Sequence, residues 1–218
     1  MMKKIAALLL ALIMITTLAA CGNDKEVEFG WGTYENGTYE NEFFDFSIDL
    51  PVEYTHLTTQ EIIDMNTPAD ENGVVTPVQA SEIDDLSIQA LVHFVYAKKY
   101  ETVTDGRFNP YINIFSENMD YSTDLYNKED YVENNLTYTA LIFKDSGVDV
   151  DILPLEKPWI GDRQFAKGTM KIEYDMFTMY QEMYSVTKNN YILVILIGYS
   201  TPKEKEELYS YIDTIDIK

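Results

Sequence analysis

Cysteine is nearly absent from this 218-residue sequence, which has one, at position 21. A single thiol has no internal partner, so no disulfide staples the fold and a packed core has to stabilise it. Histidine is almost as scarce, with only His56 and His93. Two distant imidazoles and one thiol supply no N/S ligand set for zinc. They also supply no Cys/His pair for nucleophilic catalysis. A glycine-rich phosphate loop is missing too. Basic side chains number 16 against 37 acidic ones. Nucleic acid needs clustered lysine and arginine, so it is excluded as a partner. No apolar run reaches the roughly 20 residues a membrane-spanning helix requires.

What is present begins at the N-terminus. Lys3 and Lys4 precede an uncharged stretch from Ile5 to Leu18, which suits the apolar region of a secretory signal. It ends in Leu18, Ala19, Ala20 and Cys21, which looks like a bacterial lipobox. In a lipobox the cysteine thiol takes a diacylglycerol before the signal is cleaved ahead of it. The plainer alternative is an ordinary signal peptide and a chance cysteine, but all four positions fit. Residues 1–20 are therefore expected to be a lipoprotein signal peptide. Cys21 is expected to hold the mature chain on the extracytoplasmic face of the cell membrane. Each buried methylene contributes about 0.8 kcal/mol, so two acyl chains hold where one does not. No cofactor beyond that covalent diacylglycerol is implied, and an acylated thiol is no nucleophile. Without residues 1–20, two lysines are gone; 14 basic and 37 acidic side chains remain, a net charge of −23. Solubility is the plain consequence, and anionic headgroups should repel the domain unless cations bridge the two.

Residues 21–36 are polar and acidic and read as a flexible tether. "GTYEN" occurs twice in succession, at 32–36 and 37–41, too short for a repeat architecture, and reads as local duplication in a tether running into the first strand. A single globular domain is expected over 37–218. In "TYENEFFDFSIDLP", Phe44, Phe46, Ile48 and Leu50 alternate with polar residues, which predicts a strand ended by Pro51. Thr58 and Glu61 form a capping box for a short helix. Residues 66–82 read as a long loop. "IQALVHFVYAKKY" and "YINIFSE" predict a hairpin of two strands. Asn127 opens an amphipathic helix running to Gly147, with Val132, Leu136, Ala140 and Phe143 on its apolar side. "RQFAKGTMKIEYD" alternates as a strand. "MFTMYQEMYSV" fits a helix as well as a strand; the Asn189-Asn190 turn and the apolar "YILVILIGYS" after it favour a strand. Thr201, Pro202 and Glu204 cap a closing helix. The sum is an α+β fold, with helices on an antiparallel sheet of about six to seven strands.

The opening "YENEFFDFSIDLP" and "EYTHLTTQEI", with the closing "KNNYILVILIGYSTPKEKEELYSYIDTIDI", resembles secreted lipoproteins of low-GC Gram-positive bacteria that have a PsbP-like fold. The resemblance covers most of residues 38–218, and its motifs are loose. It implies an α/β/α sandwich around an antiparallel sheet, the fold of extrinsic photosystem subunits and of a Ran-binding protein. It also implies an accessory or binding subunit rather than an enzyme, and an envelope protein as partner. The analogy is one of fold, and no catalytic residue carries over from it.

Several patterns mimic chemistry. Ser185-Val186-Thr187-Lys188 matches S-x-x-K, but that motif needs its serine opening a helix, and here it leads into a turn. His93 lies mid-strand, where a structural role is the plainer reading. Asp145–Asp151 and Ala69–Gly73 have a faint calcium look without the EF-hand frame, so no metal site is assigned. Glu82, Asp84 and Asp85 read as a solvated segment. Asn36 and Asn135 lie in N-x-T sequons. The one candidate binding surface is aromatic: Tyr174, Phe177, Tyr180 and Tyr184, with Met176, Met179 and Met183 beside them. Such clusters serve partner surfaces, although a sheet face buried under helices explains them more simply. Three readings stay open: a membrane-anchored accessory or binding module, a solute-capturing lipoprotein, and an envelope hydrolase. Oligomeric state is left open.

Overall fold

The computed structural model describes residues 27–66, 91–103, 106–121 and 127–218. The loop expected at 66–82 and the acidic segments Ala69–Gly73 and Glu82–Asp85 therefore lie largely or wholly outside the described residues, as do the signal and Cys21.

Seven antiparallel strands form the main sheet. Before it come β1 (Thr33–Glu35), β2 (Thr38–Asn41) and β3 (Phe46–Asp49), which belong to a smaller sheet. Then follow β4 (Thr55–His56), helix α1 (Thr59–Asn66), β5 (Leu91–Lys98), β6 (Tyr111–Asn118), helix α2 (Lys128–Asp145) and β7 (Asp149–Ile152). A small hairpin of β8 (Trp159–Ile160) and β9 (Arg163–Gln164) leads into β10 (Ala166–Glu173), β11 (Thr178–Lys188) and β12 (Tyr191–Tyr199). Helix α3 (Pro202–Ile212) and β13 (Asp216–Ile217) close the chain. The main sheet has the order β4-β5-β6-β12-β11-β10-β7, and the smaller one β1-β2-β3-β13. The expected architecture, an antiparallel sheet of six to seven strands flanked by helices, is the one observed.

Period two explains how both faces of the main sheet are buried. Along β12, Ile192 and Val194 point one way and Leu193, Ile195 and Ile197 the other, all buried. Two helix-side layers answer this. The first face carries Met170, Ile172, Met179 and Met183 and is covered by α2 through Tyr131, Val132, Leu136 and Ala140. Gly168 lets α2 approach: a Cβ there would stand 2.4 Å from Leu136 Cδ1 and 2.5 Å from Val132 Cγ1. The other face is covered by the smaller sheet, through Tyr39, Phe44, Phe46 and Ile48, and by α3, through Leu208 and Ile212. One side of the sandwich is thus part helix and part sheet.

Local signals set the helix starts. The Asn127 side chain accepts from Asp130 N at the start of α2, and Gly147 beyond its end has φ +79°. Thr201 and Glu204 make the reciprocal capping box of α3 with Pro202 in the first turn. At α1, Glu61 N donates to Thr58 Oγ1 and Thr58 N to Glu61 Oε2. The segment "MFTMYQEMYSV" is strand from Thr178 onward, because alternating burial against two covered faces outweighs its helical spacing.

Three expectations are corrected. The tether read to residue 36 does not extend that far. Phe29 stacks on Tyr191 at a centroid distance of 4.3 Å and packs on Phe43, Phe44 and Phe94. The duplicated "GTYEN" is a hairpin: β1 pairs with β2, one copy against the other, around Asn36-Gly37. Both turn residues have positive φ, +52° and +90°, the conformation that makes Asn-Gly the preferred two-residue hairpin turn. The single strand read over 38–51 is broken by a 3₁₀ turn at Glu42–Phe44, capped by Asn41. Phe43 and Phe44 are both buried, which adjacent residues of a straight strand cannot manage on a half-wet sheet. Four short strands were also missed. Thr55–His56 pairs with β5, and Trp159–Ile160 with β9. Asp149–Ile152 is an edge strand, and Asp216–Ile217 pairs with β3.

Candidate functional site

The sheet register assembles the site. Thr169 of β10 stands opposite Glu182 of β11, Lys167 opposite Tyr184, and Tyr180 opposite Tyr199 of β12. All of these side chains share the face toward α3. There Lys205 and Tyr209, four residues apart and so on one side of the helix, complete the group.

Glu182 is 1 % exposed, the most deeply placed acid of the described residues. Its Oε1 accepts from the Tyr199 hydroxyl at 2.6 Å and its Oε2 from the Tyr184 hydroxyl at 2.8 Å. The Tyr209 hydroxyl reaches both oxygens, at 3.0 and 2.8 Å. The Lys167 ammonium lies 3.4 Å from Oε2, and that of Lys205 3.5 Å from Oε1. Lys167 also donates to Glu156 at 3.1 Å and to the Tyr209 oxygen at 3.1 Å. Both ammoniums lie over aromatic rings, Lys205 at 4.9 Å from the Tyr209 centroid and Lys167 at 5.6 Å from that of Tyr184.

Burial pushes the Glu182 carboxyl up, but the hydroxyls of Tyr199, Tyr209 and Tyr184 and the Lys167 charge outweigh it, so its pKa lies below the ordinary range. Burial likewise pushes Lys167 down; Tyr209, Glu182 and Glu156 reverse this and hold it above its ordinary value. Tyr184 and Tyr199 are raised, first by burial and then by the Glu182 charge and its hydrogen bonds. At neutral pH the carboxylate and the lysine are charged and the phenols are not.

Beside this cluster opens a cleft of about 490 Å³. Leu153 and Glu156 form one rim, Thr169, Thr178, Tyr180 and Glu182 the floor, and Ser200, Pro202 and Lys205 at the start of α3 the other rim. Tyr180 lies nearly parallel to Tyr199, with centroids 5.4 Å apart.

The four residues of the candidate aromatic surface do not meet as one patch. Tyr174 and Phe177, 4.9 Å apart at the β10–β11 turn, pack on the α2 side. Tyr180 and Tyr184 face α3; Tyr180 lines the cleft, while Tyr184 is buried behind it. Alternation along the strand makes this division. Met179 and Met183 are core beneath α2. Glu182, Lys167, Lys205 and Tyr209 were not singled out from the sequence. A signal for the first existed: in "YQEMY" the same period that turns Tyr180 and Tyr184 toward one face turns Glu182 there too.

The mimics resolve into structural roles. Ser185 is fully buried facing α2, where its hydroxyl donates to the Lys128 carbonyl. Lys188 is three strand positions on, points to the other face and pairs with Asp45. His93 Nδ1 sits 3.0 Å from Asn113 Oδ1, and the ring stacks on Phe115; burial pushes its pKa down. His56 Nε2 is 2.8 Å from the Pro51 carbonyl oxygen, with its ring stacked on Tyr34. Asp149 and Asp151 are taken up by pairing with β10. Among the described residues, no group of three or more His, Cys, Asp or Glu side chains could hold a metal ion. No helix among them is long and apolar enough to cross a membrane.

No family model matches this sequence, and no curated protein matches it. Among solved structures, the chain is similar to cyanobacterial PsbP (CyanoP) from Synechocystis sp. PCC 6803, at 9% identity and a TM-score of 0.44 over 91% of this chain and 98% of that one. It is also similar to a protein from Bacteroides thetaiotaomicron VPI-5482, at 14% identity and a TM-score of 0.35. That match covers 80% of this chain and spans 45% of the Bacteroides one, less than half of its length.

Proposed function

We propose that this protein is a lipid-anchored, extracytoplasmic binding module, non-enzymatic and acting with a partner of the cell envelope. The observation that supports it is where the chain enters the fold relative to the cleft. Phe29, eight residues beyond Cys21, stacks on Tyr191, the first residue of β12. The cleft is built around Tyr199, the last residue of the same strand. At about 3.3 Å per residue those two ends stand about 26 Å apart. An acylated Cys21 would hold the Tyr191 end toward the bilayer and present the cleft away from it.

Glu182 suits the role of an internal counter-ion better than that of a general acid. A general acid needs a carboxyl whose pKa is raised toward neutrality, whereas its neighbours push this one down. Every donor in reach already occupies its oxygens. The solute-capturing reading draws on the same cleft and differs only in what the partner is, a transporter.

Fatty-acid labelling of the expressed protein, followed by membrane fractionation, tests the anchor. Wild type should incorporate label and sediment with membranes, and Cys21→Ala should do neither. Crosslinking of the acylated protein in its native membranes should then capture one protein in near-equal amount. Label retained by Cys21→Ala would overturn the anchor, and no captured protein would overturn the accessory role.

A further inference from the structure

The cleft presents hydroxyls. With both oxygens of Glu182 occupied, that residue is an internal counter-ion that fixes Lys167 and Lys205, with no capacity left for a ligand. Thr169, Thr178 and Tyr180 line the cleft, and among the described residues their hydroxyls bond to no protein group. The Lys205 side chain is 43% exposed and that of Glu156 60%, so a donor and an acceptor stand at opposite rims.

Charge narrows the ligand. Lys167 and Lys205 balance Glu156 and Glu182, so the four sum to zero. A cleft of no net charge in a strongly acidic chain offers nothing to a phosphate and gives no preference for a metal ion. Hydroxyl groups both donate and accept, and they are best matched by a ligand whose own groups do the same. Tyr180, stacked on Tyr199, brings an aromatic ring to the lining, and aromatic faces pack well on apolar ring faces. The volume, about 490 Å³, falls within the span of small-molecule sites.

We propose that this cleft binds a neutral carbohydrate of one or two rings. The proposal deepens the binding-module reading and rests on it. Thr169, Thr178 and Tyr180 hydrogen-bond ring hydroxyls from the floor. Lys205 and Glu156 bracket the ring with charge-assisted bonds, which are about twice as strong as neutral ones.

The test is saturation-transfer NMR on the full-length acylated protein in a sugar-free detergent. The probes are glucose, N-acetylglucosamine, maltose and chitobiose, with glucuronate and glycine as charged probes. At least one neutral sugar should receive saturation. Thr178→Val and Tyr180→Phe should each weaken its affinity about fivefold, the loss of one hydrogen bond. Tyr138→Phe, on the exposed side of α2, should leave it unchanged. Silence from all four neutral sugars overturns the proposal, as does saturation that neither cleft variant reduces. Saturation of glucuronate or glycine alone overturns it in favour of a charged ligand and leaves the binding-module reading standing. Failure of the anchor would appear in the Cys21 labelling instead, so the two ideas fail separately.

Discussion

Three tyrosine hydroxyls and two ammonium groups converge on the two oxygens of Glu182. A buried carboxylate is costly unless its lone pairs are filled, and here they are. Its depressed pKa means that the unfolded chain takes up a proton first as the solution is acidified. The stabilisation from Glu182 is therefore complete above the ordinary carboxylate range, near 4.5, and is lost as pH falls through and below it. The signs are opposite for Lys167 and the caged tyrosines, whose raised pKa values stabilise below about 10 and lose that contribution as pH rises further. Glu182→Gln should cost about 2 kcal/mol at neutral pH, as expected for lost charged hydrogen bonds. Urea unfolding across pH should show this deficit shrinking on the acid side; a deficit independent of pH would mean that Glu182 is not ionised in the fold. Gly168→Ala should cost about 2 kcal/mol or more, because the added methyl meets Leu136 and Val132 where α2 lies closest to β10. The midpoint of the same unfolding curve reads it.

At the level of elements, what the sequence made legible was what short-range physics controls. The capping residues of the three helices and the alternation of β10 rest on spacing within a few residues. What escaped reading was set by distant partners. Asp149–Ile152 has only one buried residue, Val150, and is a strand because β10 offers it an edge. Phe29 lies in an acidic, glycine-containing stretch, and only the aromatic pocket of Phe43, Phe44, Phe94 and Tyr191 turns that stretch into part of the fold. Phe29→Ala should cost about 2 kcal/mol, in proportion to the apolar area it leaves exposed. It should also admit protease between residues 27 and 37 faster than wild type; equal cleavage rates would mean that the docking is incidental. Thr201→Ala should cost about 1 kcal/mol by removing the acceptor for Glu204 N at the start of α3.

Over the whole molecule, the sheet separates two ends. The N-terminal segment docks at the Tyr191 end, and the Glu182 cleft opens at the Tyr199 end. If Cys21 carries the anchor, a spin label at Asn189→Cys in the acylated protein on vesicles should be relaxed more strongly by a lipid-bound paramagnet than one at Thr178→Cys. The reverse order would place the cleft against the membrane. The sequence by itself determined the α+β class, the helix starts, the alternation of β10 and the expectation of an anchor. Each of these depends on residues near one another in the chain. Tertiary structure alone decided the site. Glu182, Lys167, Lys205 and Tyr209 come from two strands and a helix, and only the register of β10 on β11 and the path of α3 across them bring those charges within hydrogen-bonding reach. A buried acid looks like any other in a chain with 37 acidic side chains, because what distinguishes it is the set of partners that folding gathers around it.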